Sequence, residues 1–295
     1  MQTLGPAISF GLITASILAL AAVGFTVQFG VTNVLNLAYA EVMGASGFIA
    51  FVVNRLGLSI WLCLIVAALF GAVASYLLNR FMLMPFIRRG TRLFGMVIVT
   101  LAIGLIVQNV VLAVIGPTFG SYQLAQDITL RPGPFVLTTS QLAIMGIAVA
   151  AMAFIHVLLR YTQLGTAMRA TAADASLARS CGIHTARVID IAWLLSGALC
   201  GMAGVALFIN TSAFTASTAN SFLVVIVAAA VLGGVGQPYG AMLGALVIGL
   251  TTEIAAAFYN PQYKNVIALA ILVIVLMVRP QGILAEIANQ KEVAT

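Results

Sequence analysis

Long apolar runs separated by short polar punctuation dominate the chain. A helix needs about 20 predominantly apolar residues to cross a bilayer. Such runs occupy roughly 6–28, 34–53, 57–79, 94–115, 139–160, 188–209, 220–236, 240–258 and 264–279, and the 220–236 run is short enough to be a half-span. The pattern predicts an all-α polytopic membrane protein of about eight or nine transmembrane helices, with room for one discontinuous or re-entrant segment. The longest hydrophilic connections, about 116–138 and 161–187, are too short for a soluble domain, so residues 1–295 read as a single transmembrane domain. Between Ile191 and Thr252 lie 62 residues without a charge, broken by the polar stretch Asn210–Ser221 and the glycine-rich Gly233–Gly240.

Composition supports this reading. The 295 residues carry 13 Lys+Arg and 7 Asp+Glu, are 62% apolar and have a mean hydropathy of +1.15. A soluble domain averages roughly 25% charged residues, and this chain has too few to cover a water-facing surface. An ordinary soluble enzyme, a disordered chain and a nucleic-acid binder are excluded, despite a net charge of +6 and a pI near 9.6. The first charged residue is Glu41, so the first apolar run lacks the basic flank of a cleaved signal and is expected to stay as a helix. Cys63, Cys181 and Cys200 are odd in number and widely spaced, which suits small hydrophobes rather than disulfides or a metal site.

The arginines set the topology. Arg80, Arg88, Arg89 and Arg92 cluster in one connection, and Arg160, Arg169, Arg179 and Arg187 in or beside another, two spans further on. Both connections therefore lie on one face, which the positive-inside rule assigns to the cytoplasm. Counting spans places the N-terminus outside and Arg279, Glu286 and Lys291 inside. The 116–138 connection, with Asp127 and Arg131, falls outside.

Polar groups within apolar runs need a reason, because a charge at mid-bilayer costs about 2.5–3.5 kcal/mol on insertion scales. The second run opens with Gly30-Val31-Thr32-Asn33-Val34-Leu35-Asn36-Leu37-Ala38-Tyr39-Ala40-Glu41. A helix broken or started here, its freed backbone groups buried in protein or facing a cavity, is the simplest solution. Asn33, Asn36, Tyr39 and Glu41 are candidates to line a translocation path. Hydrogen-bond glue between helices is the alternative for the asparagines, and a structural cap or buried partner for Glu41. Glu253 is expected near the outer interface in solvent, and Gln108 and Asn109 are expected to bond across helices. The pairs Gly197/Gly201 and Gly240/Gly244 suit close helix packing.

The 161–187 connection is informative in its own right. Thr171-x-x-Asp174 fits a capping box, Ala172, Ala173, Ala175 and Ala178 favour helix, and Arg179 sits in the last turn. Gly182, ahead of Ile183, suits the left-handed position that ends a helix. The expectation is a helix of about ten residues, roughly 15 Å long, able to transmit force from a cytoplasmic partner or merely to connect two spans.

The chain has no engine of its own. Its only lysines, Lys264 and Lys291, are not preceded by glycine, so there is no phosphate-binding G-x-x-x-x-G-K-[ST] loop. His156 and His184 cannot form a metalloprotease pair, and Gly44-Ala-Ser46-Gly47-Phe48 is no nucleophile elbow. No catalytic residue, metal or cofactor is expected.

Several stretches together are specific: Asn36-Leu37-Ala38-Tyr39-Ala40-Glu41, the run Arg169…Ala172-Ala173-Asp174…Gly182-Ile183, Ala230-Val-Leu-Gly233-Gly234-Val-Gly236-Gln-Pro238-Tyr-Gly240-Ala-Met-Leu-Gly244, and Arg279-Pro280-Gln281-Gly282-Ile283-Leu284. Along nearly its whole length the chain resembles the permease subunits of bacterial ABC importers for branched-chain amino acids. The resemblance implies an inner-membrane protein working with a second, homologous permease, two cytoplasmic ATPase subunits that bind the ATP, and a periplasmic substrate-binding protein. It also implies that Thr171, Ala172, Ala173, Asp174, Arg179, Gly182 and Ile183 belong to the loop that docks into the ATPase. Tyr39, Ala40 and Ala173 stand where the family usually has His, Gly and an acid. Relatives of this group serve urea, short amides and aromatic acids. A stand-alone facilitator or secondary transporter, and a purely structural subunit, are the other readings.

Overall fold

The computed structural model describes residues 4–91, 93–116, 120, 122, 129–130, 137–211, 213–258, 263–278 and 282. Arg92, Asp127, Arg131, Arg279, Pro280, Gln281, Ile283, Leu284, Glu286 and Lys291 lie outside them. In chain order come α1 (Leu4–Thr32), α2 (Tyr39–Arg55) and α3 (Ile60–Leu77), which continues through a π-helical turn (Leu78–Leu83) into α4 (Met84–Arg88). Next are α5 (Leu93–Ile115), two antiparallel strands of two residues each, β1 (Thr129–Leu130) and β2 (Leu137–Thr138), and α6 (Thr139–Tyr161). The short α7 (Gln163–Ala173) and α8 (Ala175–Ser180) precede α9 (Thr185–Thr211), α10 (Thr218–Gly233), α11 (Pro238–Phe258) and α12 (Lys264–Val278). The chain is thus all-α, and each of the nine apolar runs holds a helix.

By length and composition, α1, the continuous α3–α4 stretch, α5, α6, α9 and α11 are each able to cross a membrane, and α10 and α12 are shorter apolar helices. Their burial differs sharply. The most apolar stretches of α1 and α9 are 67% and 72% buried, whereas those of α3, α5 and α6 are only 22%, 17% and 22% buried. A helix apolar on all sides belongs inside a bundle or against lipid, and these two groups take one role each.

The helices form two compact units: residues 27–123 with 151–223, and residues 1–26, 124–150 and 224–295. In the first unit α9 packs along α3 and α2, and α2 also packs against α3 and α5. Small residues make the approach close. A Cβ built on Gly197 would overlap the Gly71 carbonyl, one on Gly201 the Ala67 carbonyl, and one on Gly204 the Met43 carbonyl. In the second unit a Cβ on Gly249 would come within 2.5 Å of Ala15 Cα, so α11 lies against α1. There Gly244 faces the Ala229 carbonyl, and Gly240 and Gly233 face each other's backbone across the turn from α10 to α11.

Two polar residues depart from the sequence reading. Glu253 is not solvated: its side chain is 13% exposed, its Oε1 accepts from Lys264 Nζ at 2.7 Å, and Thr14 Oγ1 donates to the same oxygen at 2.9 Å. The carboxylate ties α11 to α12 and α1, because a half-buried charge is stable only when paired. Asn109 does not bond across helices; its amide donates to the Leu105 carbonyl of its own helix at 2.7 Å. Asn109 is exposed on α5, and its side chain turns back to its own helix.

The glycine contacts give the first prediction. Gly197→Val forces the α3 and α9 backbones apart and should cost about 3 kcal/mol, the upper end of overpacking penalties. Gly146, where an added methyl would meet nothing within 4 Å, should accept Ala without loss. Thermal unfolding midpoints in detergent separate the two; equal midpoints would contradict the packing.

Candidate functional site

The break between α1 and α2 is built by side chains that the local sequence supplies. Asn33 ends α1 with φ +53°, a left-handed conformation that asparagine tolerates better than most residues. Its N–H still reaches the Phe29 carbonyl at 2.7 Å. Asn36 Oδ1 accepts from the Ala38 N–H at 3.1 Å and so opens the turn into α2. Thr100 of α5 does the rest: its hydroxyl accepts from the Leu37 N–H at 3.3 Å and lies 3.2 Å from the Leu35 carbonyl. The Leu37 and Ala38 amides freed by the break are thereby satisfied inside the protein.

Around the break lies a buried polar layer. Gln28, Asn36, Tyr39 and Ser196 are each at most 1% exposed. Ser196 Oγ donates to Gln28 Oε1 at 3.2 Å, joining α9 to the last turns of α1. Cys200 Sγ donates to the Tyr39 carbonyl at 3.3 Å, and the Tyr39 hydroxyl points at the Ser196 carbonyl 3.5 Å away. Glu41, 6% exposed, packs its aliphatic stem beside Gly104 of α5 and forms no ion pair or hydrogen bond among the described residues. Of the four candidate path residues, Asn36, Tyr39 and Glu41 are therefore enclosed, and Asn33 is exposed.

The connection between α6 and α9 is an elbow of two short helices rather than one. Thr171 is not an N-cap: it is buried inside α7 and its hydroxyl donates to the Ala167 carbonyl at 2.8 Å. Thr162 caps α7 instead, accepting from the Gly165 N–H at 3.1 Å. Asp174 is itself an N-cap, not a third-position partner, and its Oδ1 accepts from the Ser176 and Leu177 amides at 2.7 and 3.0 Å. The physical reason is that threonine in a helix can bond its own preceding turn, while Asp174, at φ −154° and ψ 108°, has the extended backbone of a cap. Gly182, at φ +86°, closes α8: its N–H bonds Arg179 O and the Ile183 N–H bonds Ala178 O, at 3.1 and 3.0 Å.

The elbow is anchored on one side and open on the other. A Cβ on Gly165 would overlap the Leu158 and Leu159 carbonyls, and Arg169 Nη1 donates to Leu159 O, folding α7 back onto the end of α6. Met168, Thr171 and Ala178 are buried, and α7 packs against α9. Ala172, Ala173, Asp174, Leu177 and Arg179 are exposed, Leu177 by 63%.

A family described as "Branched-chain amino acid transport system / permease component" matches residues 7–276. The high-affinity branched-chain amino acid transport system permease protein LivH of Escherichia coli is 30% identical, the alignment covering 93% of each chain. BraD of Pseudomonas aeruginosa, a permease protein of the same description, is 29% identical with the same coverage. LivM of E. coli is 28% identical over 88% of this chain and 66% of its own. A chain of PsaBC from Streptococcus pneumoniae, solved in complex with Fab, shares the fold at TM-score 0.51 and 16% identity, covering 92% and 91% of the two chains. The chain belongs to the branched-chain amino acid transport permease family.

This permease holds polar residues that single-residue reading passed over. Gln28, Thr100 and Ser196 are single polar positions between apolar or small neighbours, and only their meeting around the break gives them a role. Leu177 escaped for the opposite reason, since a leucine on a short helix looks like core until its exposure is known. Asn79 and Arg80 of the π-helical turn meet Asp190 of α9 at 3.3 and 3.7 Å. The signal for that contact was Asp190 itself, a lone acid at the head of an apolar run.

Hydrogen bonds from the Ser176 hydroxyl and from the Leu177 and Ser176 amides hold the Asp174 carboxyl below its ordinary 3.8. A folded-state pKa below the unfolded value stabilises α8 above 3.8, and the effect is lost as pH falls through the lowered value. A carboxyl carbon-13 titration should therefore give a midpoint below 3.8, with amide exchange at Ser176 and Leu177 faster in Asp174→Ala and little changed in Asp174→Asn. A midpoint at or above 3.8 contradicts the cap.

Proposed function

We propose that this chain is the membrane-embedded subunit of an ATP-driven importer for branched-chain or related small amino acids. The observation that carries the reading is mechanical. The anchored α7–α8 elbow feeds directly into α9, and α9 holds the break between α1 and α2 through Ser196 and Cys200. Thr185 to Ser196 is roughly 17 Å of continuous helix at 1.5 Å per residue. A push on the exposed face of the elbow would reach the buried polar layer through one stiff rod.

The energy source in this reading is a pair of ATPase subunits on the cytoplasmic side, contacting Ala172, Ala173, Asp174, Leu177 and Arg179. The arginine-rich connections then face the cytoplasm, the N-terminus the outside and the C-terminus the cytoplasm. A second permease completes the path; similarity to both LivH and LivM, two permease proteins of one bacterium, supports a pair of related chains. A periplasmic binding protein delivers the solute. Tyr39 and Ala40, in place of the usual His and Gly, favour a second reading of the solute alone: urea, a short amide or an aromatic acid.

Reconstituted with the ATPases and binding protein, Asp174→Ala and Gly182→Val should lower uptake about tenfold, within the range of allosteric coupling energies, while ATP hydrolysis continues. Normal uptake by both variants would remove the elbow from the mechanism. The chain alone in liposomes should pass no solute; flux without ATPase would make it a facilitator.

A further inference from the structure

A pocket of about 380 Å³ lies where α3 gives way to α4, lined by Arg80, Met84, Pro85 and Arg89. Its charge is almost unopposed. From Val42 to Gln126 the chain contains no Asp or Glu, so any acid must come from another part of the fold. Among the described residues only Asp190 does so, 3.7 Å from Arg80, and Arg89 forms no ion pair. The same helical turns expose apolar side chains: Phe81, Met82 and Ile87 are 70%, 45% and 41% exposed, and the stretch continues without a break from α3, which is long and apolar enough to cross a membrane.

Guanidinium groups bind phosphate through paired, charge-assisted hydrogen bonds, and basic pockets at helix ends are suited to lipid headgroups. An acidic protein surface would satisfy the arginines but not the exposed Phe81, Met82 and Ile87. A phospholipid satisfies both, with phosphate on the cations and acyl chains along the apolar side chains. We propose that this pocket holds the phosphate of an anionic phospholipid, gripped by Arg80 and Arg89.

The test uses the purified full chain in detergent, titrated with phosphatidylglycerol and followed by native mass spectrometry. Phosphatidylglycerol should bind more tightly than phosphatidylcholine. Arg89→Gln should weaken it about tenfold, the scale of one lost charge-assisted bond, and Arg80→Gln/Arg89→Gln further. Arg55→Gln, whose guanidinium lies over Phe51 away from the pocket, should bind as the parent does. Because Arg89 makes no ion pair among the described residues, its variant should keep the parent's unfolding midpoint in phosphatidylcholine, so lost binding is not lost folding. Equal affinity for both lipids, or unchanged phosphatidylglycerol binding in both pocket variants, overturns the proposal. So does displacement by inorganic phosphate at the lipid's own concentration, which would make free phosphate the ligand. Variants that keep the lipid but fail to retain ATPase subunits would assign the arginines to a protein contact instead.

Discussion

In hydrocarbon a backbone N–H or C=O has no water to turn to, and leaving one unpaired costs roughly 2–7 kcal/mol. Within the six residues between α1 and α2, two side chains, Asn36 and Thr100, meet that constraint for the Ala38 and Leu37 amides. Without them the break would have to close into continuous helix or admit water. Everything near it is arranged accordingly. α5 must lie close enough to deliver Thr100, which explains why Gly104, one turn further on, faces Ala38 and Glu41 with only 3.3–3.4 Å left for a Cβ.

The same closeness governs α9. Small residues on one of its faces let the carbonyls of Gly71, Ala67 and Met43 approach within backbone contact, so its position against α3 and α2 is fixed by main chain rather than by adaptable side chains. Dense interiors transmit displacement instead of absorbing it. That is why a helix with polar bonds at its middle and an anchored elbow at its start can act as one body. The contacts at Asn79 and Arg80 add a second hold on α9, at the π-helical turn where α3 departs from regular geometry. Such turns recur at functional sites, and here the irregularity brings two polar side chains to a single acid.

How much of this could be read from the chain depends on the range of the interaction. Apolar periodicity and length are local, and they placed a helix in each of the nine long runs to within a few residues. The break at Asn33–Ala38 was also legible, because two asparagines in an apolar run have few other uses. The partners were not. Thr100 and Ser196 carry no local mark, and only the packing of α5 and α9 brings them to the break. The elbow failed differently: Thr171 and Asp174 obey the spacing of a capping box, yet they belong to two helices, Thr171 inside the one that Thr162 caps and Asp174 at the head of the next. Glu253 was misread because its partner, Lys264, belongs to another helix, and only the packing of α11 against α12 brings the two together.

The few charges are also not alike. Glu253 and Lys264 neutralise each other, as Asp190 and Arg80 partly do. Asp174 directs its charge to helix amides. These acids hold elements together, which leaves most of the described arginines without an internal counter-ion. In a chain so poor in acids, a surplus of +6 has to be balanced by what surrounds the protein. Placement of the arginines relative to an anionic bilayer surface then becomes an electrostatic constraint on the whole fold. Paired charge is kept within each unit, whereas Glu41, buried beside the break, has no ion pair among the described residues and is the one described acid without such a role.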